Sequence, residues 1–305
     1  MTMNDSPAAV PPPDATDRGV PGKKERETTS FWRRYARSTG SVVGLAILLL
    51  LVVMSIFPEL FASTDPNAQD IYHPFSGFGE NGHLLGSDQL GRDLYSRLVH
   101  GVHVTLGAAL LSLGVALVIG VPTGLLAGYR QGRFDQITNA VSDGMMSLPT
   151  ILAVVAVIAA LGPSLTIAMT TVGVFLAPRM FRVQRASTIT VCHETYIEAA
   201  RVVGCRTGRL LFRHVLPNSL SPTIVQATLL FGAGVLAESA LSFIGLGVQS
   251  PQSSLGSLIA DAAPLISQYP FTIVAPGLVT SLCVLSVVLV GEGLKDSLGG
   301  RAPIT

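Results

Sequence analysis

The chain alternates long apolar runs with short polar stretches, and this alternation predicts its architecture. A helix that crosses a hydrocarbon core of roughly 30 Å needs about 20 predominantly apolar residues at a rise of 1.5 Å per residue. Runs of about this length cover residues 40–57, 102–129, 138–161, 164–184, 221–248 and 271–290. The pattern therefore predicts an all-α integral membrane protein with six transmembrane helices.

The distribution of charge supports this interpretation. Of the 305 residues, 49% are hydrophobic and 13% are charged, whereas soluble domains carry about 25% charged residues. No charged residue occurs from 144 to 178, and Gly162-Pro163 interrupts this stretch, so the third and fourth spans should form a tight hairpin. Basic residues stand at the ends of the apolar runs and not in a stripe, which excludes a nucleic-acid-binding protein.

The basic residues also predict the orientation of the chain in the membrane. Of the 20 Lys and Arg residues, all except Arg92 and Arg97 fall on one side. That side contains the amino-terminal tail, the loop at Arg130, the segment 192–220 and the carboxyl terminus. Cytoplasmic loops of membrane proteins carry the excess of Lys and Arg. We therefore expect both termini in the cytoplasm.

The polar boundaries divide the chain into five segments. Residues 1–30 are rich in proline and poor in large apolar groups, which is typical of a disordered tail. The first apolar run begins too late for a cleavable signal peptide, so we expect an uncleaved anchor. The predicted segments are a cytoplasmic tail (1–30), an interfacial segment with Phe31, Trp32 and Tyr35 plus the first span (31–61), an extracytoplasmic loop with an interfacial helix (62–101), a transmembrane core with the cytoplasmic loop 192–220 (102–294) and a cytoplasmic end (295–305).

The residues from Glu198 to Asn218, here called the basic elbow, interrupt two apolar regions. The sequence predicts a short helix from Tyr196 to Val203, a break at Gly204, and a second helix from Leu210 to Leu216 that Pro217 ends. An Arg at the centre of a transmembrane helix costs roughly 3 kcal/mol, so the elbow should lie in water. It is either a solvated connection or a docking point for a soluble partner. Its arginines are Arg201, Arg206, Arg209 and Arg213.

Small residues recur every four positions along the second span. Such a stripe lets another helix approach closely, because helix association in lipid depends on packing. We predict a helix contact here, and the alternative is chance in a helix rich in glycine and alanine. The stripe consists of Ala108, Ser112, Ala116, Gly120, Gly124 and Gly128.

Three charged residues in or next to the later spans are candidates for function. Glu238 is the only ionisable residue deep inside a predicted span, so it should face the protein interior or a polar cavity, or be protonated. Packing at a subunit contact and lining of a pathway are both open for Glu238. Arg179 and Arg182 lie where the fourth span ends, where they can reach headgroups or line the inner mouth.

The stretch from Leu85 to Arg97 is the second polar region of interest. Ser87 can cap a short interfacial helix with Asp88 in its first turn. The spacing also allows ion pairs, four residues apart, of Asp88 with Arg92 and of Asp93 with Arg97, each worth a few tenths of a kcal/mol if exposed.

Two of these stretches resemble the ATP-binding-cassette (ABC) importer permeases. Glu-Ala-Ala, three residues, Gly and then His-x-Leu-Pro-Asn is similar to the cytoplasmic signature loop of that family, and the stretch before Arg97 resembles the hallmark of its dipeptide, oligopeptide and nickel permeases. The resemblance implies that the loop seats in a groove of an ATPase subunit. The matching loop residues are Glu198, Ala199, Ala200, Gly204, His214, Leu216, Pro217 and Asn218, and the matching outer residues are Gly86, Asp88, Gly91, Arg92, Asp93, Ser96 and Arg97.

The resemblance further implies the fold, the substrate and the partners. We expect a five-helix permease core with an extra amino-terminal helix, in the bacterial cytoplasmic (inner) membrane. The chain would be the C-type subunit of an importer of di- or oligopeptides, and nickel or another solute is the alternative cargo. Its partners would be a homologous B-type permease, two ABC ATPases that bind ATP and Mg, an extracytoplasmic solute-binding protein and membrane lipid. An ion-coupled secondary transporter that uses Glu238 or the inner arginines is the alternative from another class.

Motifs for chemistry by the chain itself are missing. The sequence contains no phosphate-binding G-x-x-x-x-G-K-[ST], no H-E-x-x-H and no G-x-S-x-G. We therefore expect no enzyme activity, no catalytic residue and no cofactor in this chain. The four outer histidines should be solvated polar groups and not metal ligands; they are His73, His83, His100 and His103.

Overall fold

The computed structural model describes residues 35, 36 and 38–299. The predicted tail, the rings of Phe31 and Trp32, and the residues after 299 lie outside the described residues. Within them no strand forms apart from one isolated antiparallel bridge between Ser87 and Asp93. The α-helices are α1 (Thr39–Ile56), α2 (Pro58–Phe61), α3 (Leu94–Arg130), α4 (Gly132–Ser147), α5 (Thr150–Leu161), α6 (Leu165–Cys192), α7 (Thr195–Val202), α8 (Thr207–Leu210), α9 (Leu216–Phe243), α10 (Leu255–Ala262) and α11 (Phe271–Gly299).

The all-helical membrane fold predicted from the sequence is confirmed. Four helical stretches among the described residues are long and apolar enough to cross a membrane, namely α1, α3, Thr207–Phe243 and α11. The pair of α4 and α5 provides a fifth candidate. Helix α6, with 28 residues, is also long enough, but Arg179, Arg182 and Arg185 reduce its apolar character. These six stretches correspond to the six predicted spans.

The third span is not the straight helix that the sequence predicts over 138–161. Helix α4 ends at Ser147, α5 begins at Thr150, and the two helices are bent by 86°. Leu148 takes an extended conformation with ψ 132° because a residue before proline is disfavoured in the helical region. Beyond α5, Gly162 has a φ of +91° and turns the chain into α6, where the hairpin is predicted.

Helix α3 is longer than its predicted span because it also contains the region expected as a separate interfacial helix. It begins at Leu94 with Asp93 as its N-cap, since the Asp93 side chain accepts the N–H of Ser96. Ser87 therefore caps no helix. Its hydroxyl accepts the N–H of Ser76 over 2.8 Å and donates to the carbonyl of His73 over 2.9 Å, which ties the outer loop together.

The core of the bundle is the contact between α3 and α6, the most extensive contact between helices in the described part of the chain. All six residues of the small-residue stripe are buried. A Cβ added at Gly120 would lie 2.7 Å from the Cβ of Met180, and one added at Gly128 would lie 2.7 Å from the carbonyl oxygen of Arg185. Only glycine allows the two backbones to approach this closely.

The remaining helices surround this pair. Helix α9 packs against both α3 and α6, α11 packs against α9, and α1 lies against α11. A Cβ at Gly234 of α9 would lie 2.6 Å from the Ser112 hydroxyl, so α9 approaches α3 on the stripe as well. The short α10 contacts α9 and α11. This arrangement puts the basic elbow at one end of α6 and α9, and α10 at the other end of α9.

Candidate functional site

The basic elbow begins within α7, at Glu198, and turns at Gly204. Gly204 has a φ of +81°, its N–H donates to the Arg201 carbonyl over 3.0 Å, and the next N–H, of Cys205, donates to the Ala200 carbonyl over 3.0 Å. These two bonds satisfy the last carbonyls of α7 in a Schellman motif, whose turning residue favours glycine. The sequence places this turn correctly.

The second half of the elbow differs from the expectation that Pro217 ends a helix. Helix α8 is followed by a π-helical turn, Leu211–Val215, in which the N–H of Leu216 donates to the carbonyl of Leu211. Pro217 stands directly after this turn, at the start of α9, where the wider π-helical spacing accommodates a residue that has no N–H to donate. The helical path is therefore continuous from Thr207 to Phe243.

One face of the elbow is anchored in the protein. Four apolar side chains of α7 and of the elbow are buried against Leu125 of α3 and against Val191 and Cys192 at the end of α6. The guanidinium of Arg201 lies 5.1 Å from the centre of the Tyr129 ring, a cation–π contact with the end of α3. The elbow is thus packed onto the two central helices. The four buried side chains are Ile197, Leu210, Leu211 and Val215.

The opposite face of the elbow is free. Val202 and Val203 are each 88% exposed, and Phe212 is 69% exposed, although the surrounding residues are polar or basic. Exposed apolar side chains of this size are typical of sites that contact another protein or a membrane. Of the family-like positions, Glu198, Ala199, Gly204, Pro217 and Asn218 are exposed, whereas Ala200, His214 and Leu216 are partly buried.

Two arginines in the second half of α6 pair with acidic side chains of α4. Arg182 forms an ion pair with Asp143, and Arg185 forms one with Asp135. Arg179 is exposed. Sequence reasoning did not single out Asp135 or Asp143, because each lies some 40 or 50 positions before its partner and no local spacing connects them.

Glu238 lies in the protein interior, with no exposed surface in this chain. Its carboxylate accepts hydrogen bonds from the hydroxyls of Thr105 and Ser242, at 2.8 and 2.6 Å. The chain itself therefore satisfies this buried polar group. Thr105, on α3, was not a candidate, since nothing in its local sequence points to a residue 133 positions away.

The outer stretch forms a buried polar network and not a set of exposed pairs. One Asp88 oxygen accepts from Arg92 over 2.7 Å and from Arg97 over 2.9 Å, and both arginines are at most 6% exposed. The expected pairing of Arg97 with Asp93 is not observed. Asp93 instead caps α3 and lies 3.1 Å from the ring of His83.

The glycines of this stretch allow the outer loop to fold onto itself. Gly86 and Gly91 have φ values of +87° and +69°. A Cβ at Gly91 would lie 1.8 Å from the carbonyl oxygen of Asp70, so the two backbones touch. The Ser96 hydroxyl meets the backbone N–H of Thr64 at 3.2 Å. The loop before α3 is therefore fixed to the first turn of that helix.

The outer histidines are distributed over this region. His73 pairs with Asp70, His83 with Asp93, His100 with the carbonyl of Ser96, and His103 with the carbonyl of Ser55. Among the described residues, no group of three or more histidine, cysteine, aspartate or glutamate side chains is arranged to hold a metal ion.

The fold defines a class of protein, a polytopic helical membrane protein, and its basic elbow leaves apolar side chains exposed. Residues 120–302 match the model of a protein family described as "Binding-protein-dependent transport system inner membrane component". Residues 28–77 match a second family model, described as "N-terminal TM domain of oligopeptide transport permease C". The chain belongs to the family of binding-protein-dependent ABC importer permeases.

Relatives with known names agree with this assignment. The di/tripeptide transport system permease protein DppC of Pseudomonas aeruginosa is 38% identical over 88% of this chain and 90% of its own length. The dipeptide transport system permease protein DppC of Alkalihalophilus pseudofirmus is 33% identical over 97% of each chain. The glutathione transport system permease protein GsiD of Pectobacterium atrosepticum is 34% identical over 88% of this chain and 89% of its own.

A solved structure shows the same fold. A chain of the MetNI methionine ABC transporter in an inward-facing conformation superposes with a TM-score of 0.51 at 21% identity, covering 65% of this chain and 95% of that chain. Family membership makes the chain a multi-pass, non-enzymatic membrane subunit that works with ATPase subunits and a partner permease. The ion-coupled secondary transporter considered as an alternative is thereby set aside.

Proposed function

We propose that this chain is the C-type permease subunit of an importer of di- and oligopeptides in the bacterial cytoplasmic membrane. Relatives that match nearly its whole length are named as permeases for dipeptides, tripeptides and glutathione, all of them short peptides or peptide-like solutes. Nickel or another solute is the alternative cargo. An assay that compares the uptake of labelled dipeptide with that of nickel distinguishes the two.

The observation that carries the proposed mechanism is the exposure of Val202, Val203 and Phe212 on an elbow whose other face is fully anchored. Burying an apolar surface of this kind in a groove of a partner is favourable at about 25 cal/mol per Å². An ATPase subunit that binds these side chains in a groove can displace the elbow as a unit, because the buried side chains hold its shape. The elbow residues from Glu198 to Asn218 then couple the ATPase to the permease.

Orientation and partners complete the proposal. The basic residues of the elbow favour its placement in the cytoplasm, with both termini on the same side. Two ATPase subunits bind ATP and Mg there, a homologous B-type permease completes the pathway, and a solute-binding protein delivers the peptide from outside. Closure of the ATPases moves the elbows, and the permease pair alternates between outward and inward openings.

The test uses the assembled importer in proteoliposomes, with labelled dipeptide outside and ATP on the ATPase side. Gly204→Pro removes the backbone geometry at φ +81°, and Glu198→Arg reverses an exposed charge on α7. Both variants should insert and assemble but lose most of the transport-coupled ATP turnover. Gly208→Ala is the matched control, because a Cβ there meets nothing within 4 Å. Normal coupling in both variants would contradict the proposal.

A labelling experiment tests the orientation separately. Val202→Cys and Glu80→Cys place thiols on the exposed elbow and on the outer loop. In intact cells a membrane-impermeant maleimide should modify the cysteine at 80 and spare the one at 202, and inverted vesicles should show the opposite. Modification of the elbow from outside would rule out an ATPase contact.

A further inference from the structure

Glu238 joins two helices near the outer end of the bundle. Its Oε2 accepts a hydrogen bond from the Thr105 hydroxyl of α3, and its Oε1 accepts one from the Ser242 hydroxyl, one turn further along α9. Thr105 and Glu238 are fully buried and Ser242 is 3% exposed. A ligand in the transport pathway would not touch the Glu238 carboxylate in this arrangement.

Both hydroxyls also accept a backbone N–H from the connection between α9 and α10. Leu255, the first residue of α10, donates its N–H to Thr105 Oγ1 over 3.1 Å, and Val248 donates to Ser242 Oγ over 3.3 Å. A hydroxyl has one hydrogen, so each can accept from the backbone while it donates to the carboxylate. Glu238 thus orients two hydroxyls that hold both ends of the stretch 248–255.

Close packing reinforces these bonds. A Cβ at Gly256 would lie 2.4 Å from the carbonyl oxygen of Ser239 on α9, and one at Gly101 of α3 would lie 3.2 Å from the carbonyl carbon of Ser254. The start of α10 is therefore wedged between α3 and α9. The hydroxyl of Ser253 donates to the carbonyl of Arg97 over 3.0 Å, which adds a further connection to α3.

The opposite end of α9 is the basic elbow. The helical path from Thr207 to Phe243 contains 37 residues, which corresponds to about 55 Å at 1.5 Å per residue. A displacement of the elbow along this path reaches the level of Glu238 through consecutive helical turns, which include the π-helical turn Leu211–Val215. Whether α10 moves together with α9 then depends on the hydrogen bonds of Glu238.

We infer that Glu238 is a positioning residue for transport: it fastens α10 and the stretch 248–255 to α3 and α9, so that movement of the elbow displaces α10 on the outer face. Glu238 acts through Thr105 and Ser242, and not by contact with peptide or ions. This inference rests on the proposed coupling role of the basic elbow.

The experiment uses the complete importer, in nanodiscs for hydrogen exchange and in sealed proteoliposomes for transport, and measures two quantities for each variant. These are backbone hydrogen exchange in peptides covering 244–258, and labelled dipeptide imported per ATP hydrolysed. Glu238→Gln offers one acceptor oxygen in place of two, so one hydroxyl loses its acceptor. Thr105→Val removes a hydroxyl at nearly constant volume. Both should raise exchange in 244–258 by roughly tenfold or more, as expected for loss of a buried hydrogen bond, and both should lower import per ATP.

Two matched controls separate positioning from general damage. Thr105→Ser keeps the hydroxyl and should restore wild-type exchange and import. Ser239→Ala removes a buried hydroxyl beside Glu238 for which no hydrogen-bond partner is found, so it should change neither quantity. Exchange in peptides covering the elbow, 195–215, should stay at the wild-type level in all four variants. The double variant Glu238→Gln with Thr105→Val should show less than the sum of the two single effects, because both act on one network.

The outcomes that overturn the inference are distinct. Unchanged exchange in both Glu238→Gln and Thr105→Val would show that the network does not hold α10. Lost import with unchanged exchange would show that Glu238 acts on the cargo directly. Should Glu238→Gln fail to assemble, equal exchange in Thr105→Val and Thr105→Ser would overturn the inference on its own. A wild-type importer without ATP-driven dipeptide uptake would instead contradict the proposed function, and the exchange comparison would still decide the role of Glu238 in fastening α10.

Discussion

The side-chain amide of Gln184 donates a hydrogen bond to the hydroxyl of Ser219 over 2.8 Å and so joins α6 to the first turn of α9. The same amide nitrogen reaches the Thr188 hydroxyl at 3.1 Å, and the amide oxygen accepts the Thr223 hydroxyl at 2.6 Å. All four side chains are buried. Helices α6 and α9, which the basic elbow connects, are therefore held together by a buried polar cluster next to the elbow.

Replacement of Gln184 by leucine should destabilise the permease. The apolar side chain removes one hydrogen bond from each of the buried Thr188, Ser219 and Thr223 hydroxyls, a cost of about 1 to 3 kcal/mol. Thermal unfolding of the detergent-solubilised permease should show a lower midpoint. Ser187→Ala is the control, since it removes one partly buried bond to the Ser219 carbonyl and should change little. A midpoint for Gln184→Leu equal to that of the control would contradict this role.

Substitutions in the small-residue stripe should depend on position and not on residue type. A Cβ at Gly124 would lie 2.7 Å from the carbonyl oxygen of Phe181, so Gly124→Ala must separate α3 from α6 at a cost of about 1 to 3 kcal/mol. Gly107 and Gly114 of the same helix have open space at the Cβ position. Alanine there should be neutral or stabilising by up to about 1 kcal/mol. Equal unfolding midpoints for all three variants would argue against close helix contact.

Loss of the Asp88 carboxylate should be far more damaging than its position in an outer loop suggests. Asp88→Asn removes the counter-charge that the buried guanidinium groups of Arg92 and Arg97 share, at a cost of about 3 to 5 kcal/mol. Arg97 keeps only its longer contact with Asp261, at 3.7 Å. We expect reduced yield of folded permease and rapid proteolysis of the loop before α3. Asp65→Asn, on the same loop but exposed, should behave like wild type. Similar proteolysis of both variants would contradict a structural role of the network.

The outer loop also provides a pH prediction. The hydrogen bond from the ring of His73 holds the pKa of the Asp70 carboxyl below its usual range. Because the folded pKa is lowered, the contribution of this pair to the folded loop is present above the unfolded value of about 3.9 and is lost as the pH falls through the folded pKa. Carbon NMR of labelled aspartate should show a midpoint below about 3.9 for Asp70, and His73→Ala should raise it. An unchanged midpoint in that variant would remove the assigned cause.

Features carried by local sequence were predictable. Length and hydropathy located the six apolar stretches, and Gly204 marked the turn of the elbow because the left-handed conformation favours glycine. Glu238 was expected in the interior because an unpaired carboxylate in lipid is costly. Each of these inferences depends on a property of one residue or one short window.

Features that depend on distant contacts were not predictable. The path through Pro217 requires a π-helical turn, which no propensity of Leu211–Val215 signals. The break before Pro149 was missed because the apolar run continues across it. The partners of Arg185 and Glu238 lie 50 and 133 positions away, and periodicity in a single sequence carries no information about such pairs.

The 86° bend between α4 and α5 gives the two helices different directions and different kinds of contact with α6. On one side of the bend, Asp135 and Asp143 fasten α4 to two successive turns of α6 through their arginines. On the other side, α5 is connected to α6 by the short turn at Gly162. Val154 and Ile158 of α5 are also buried in one apolar cluster with Met169 and Val172 of α6. A tilt of α6 is therefore transmitted to α4 through ion pairs and to α5 through apolar packing, and Leu148 and Pro149 are the point at which the directions of the two helices can adjust to each other.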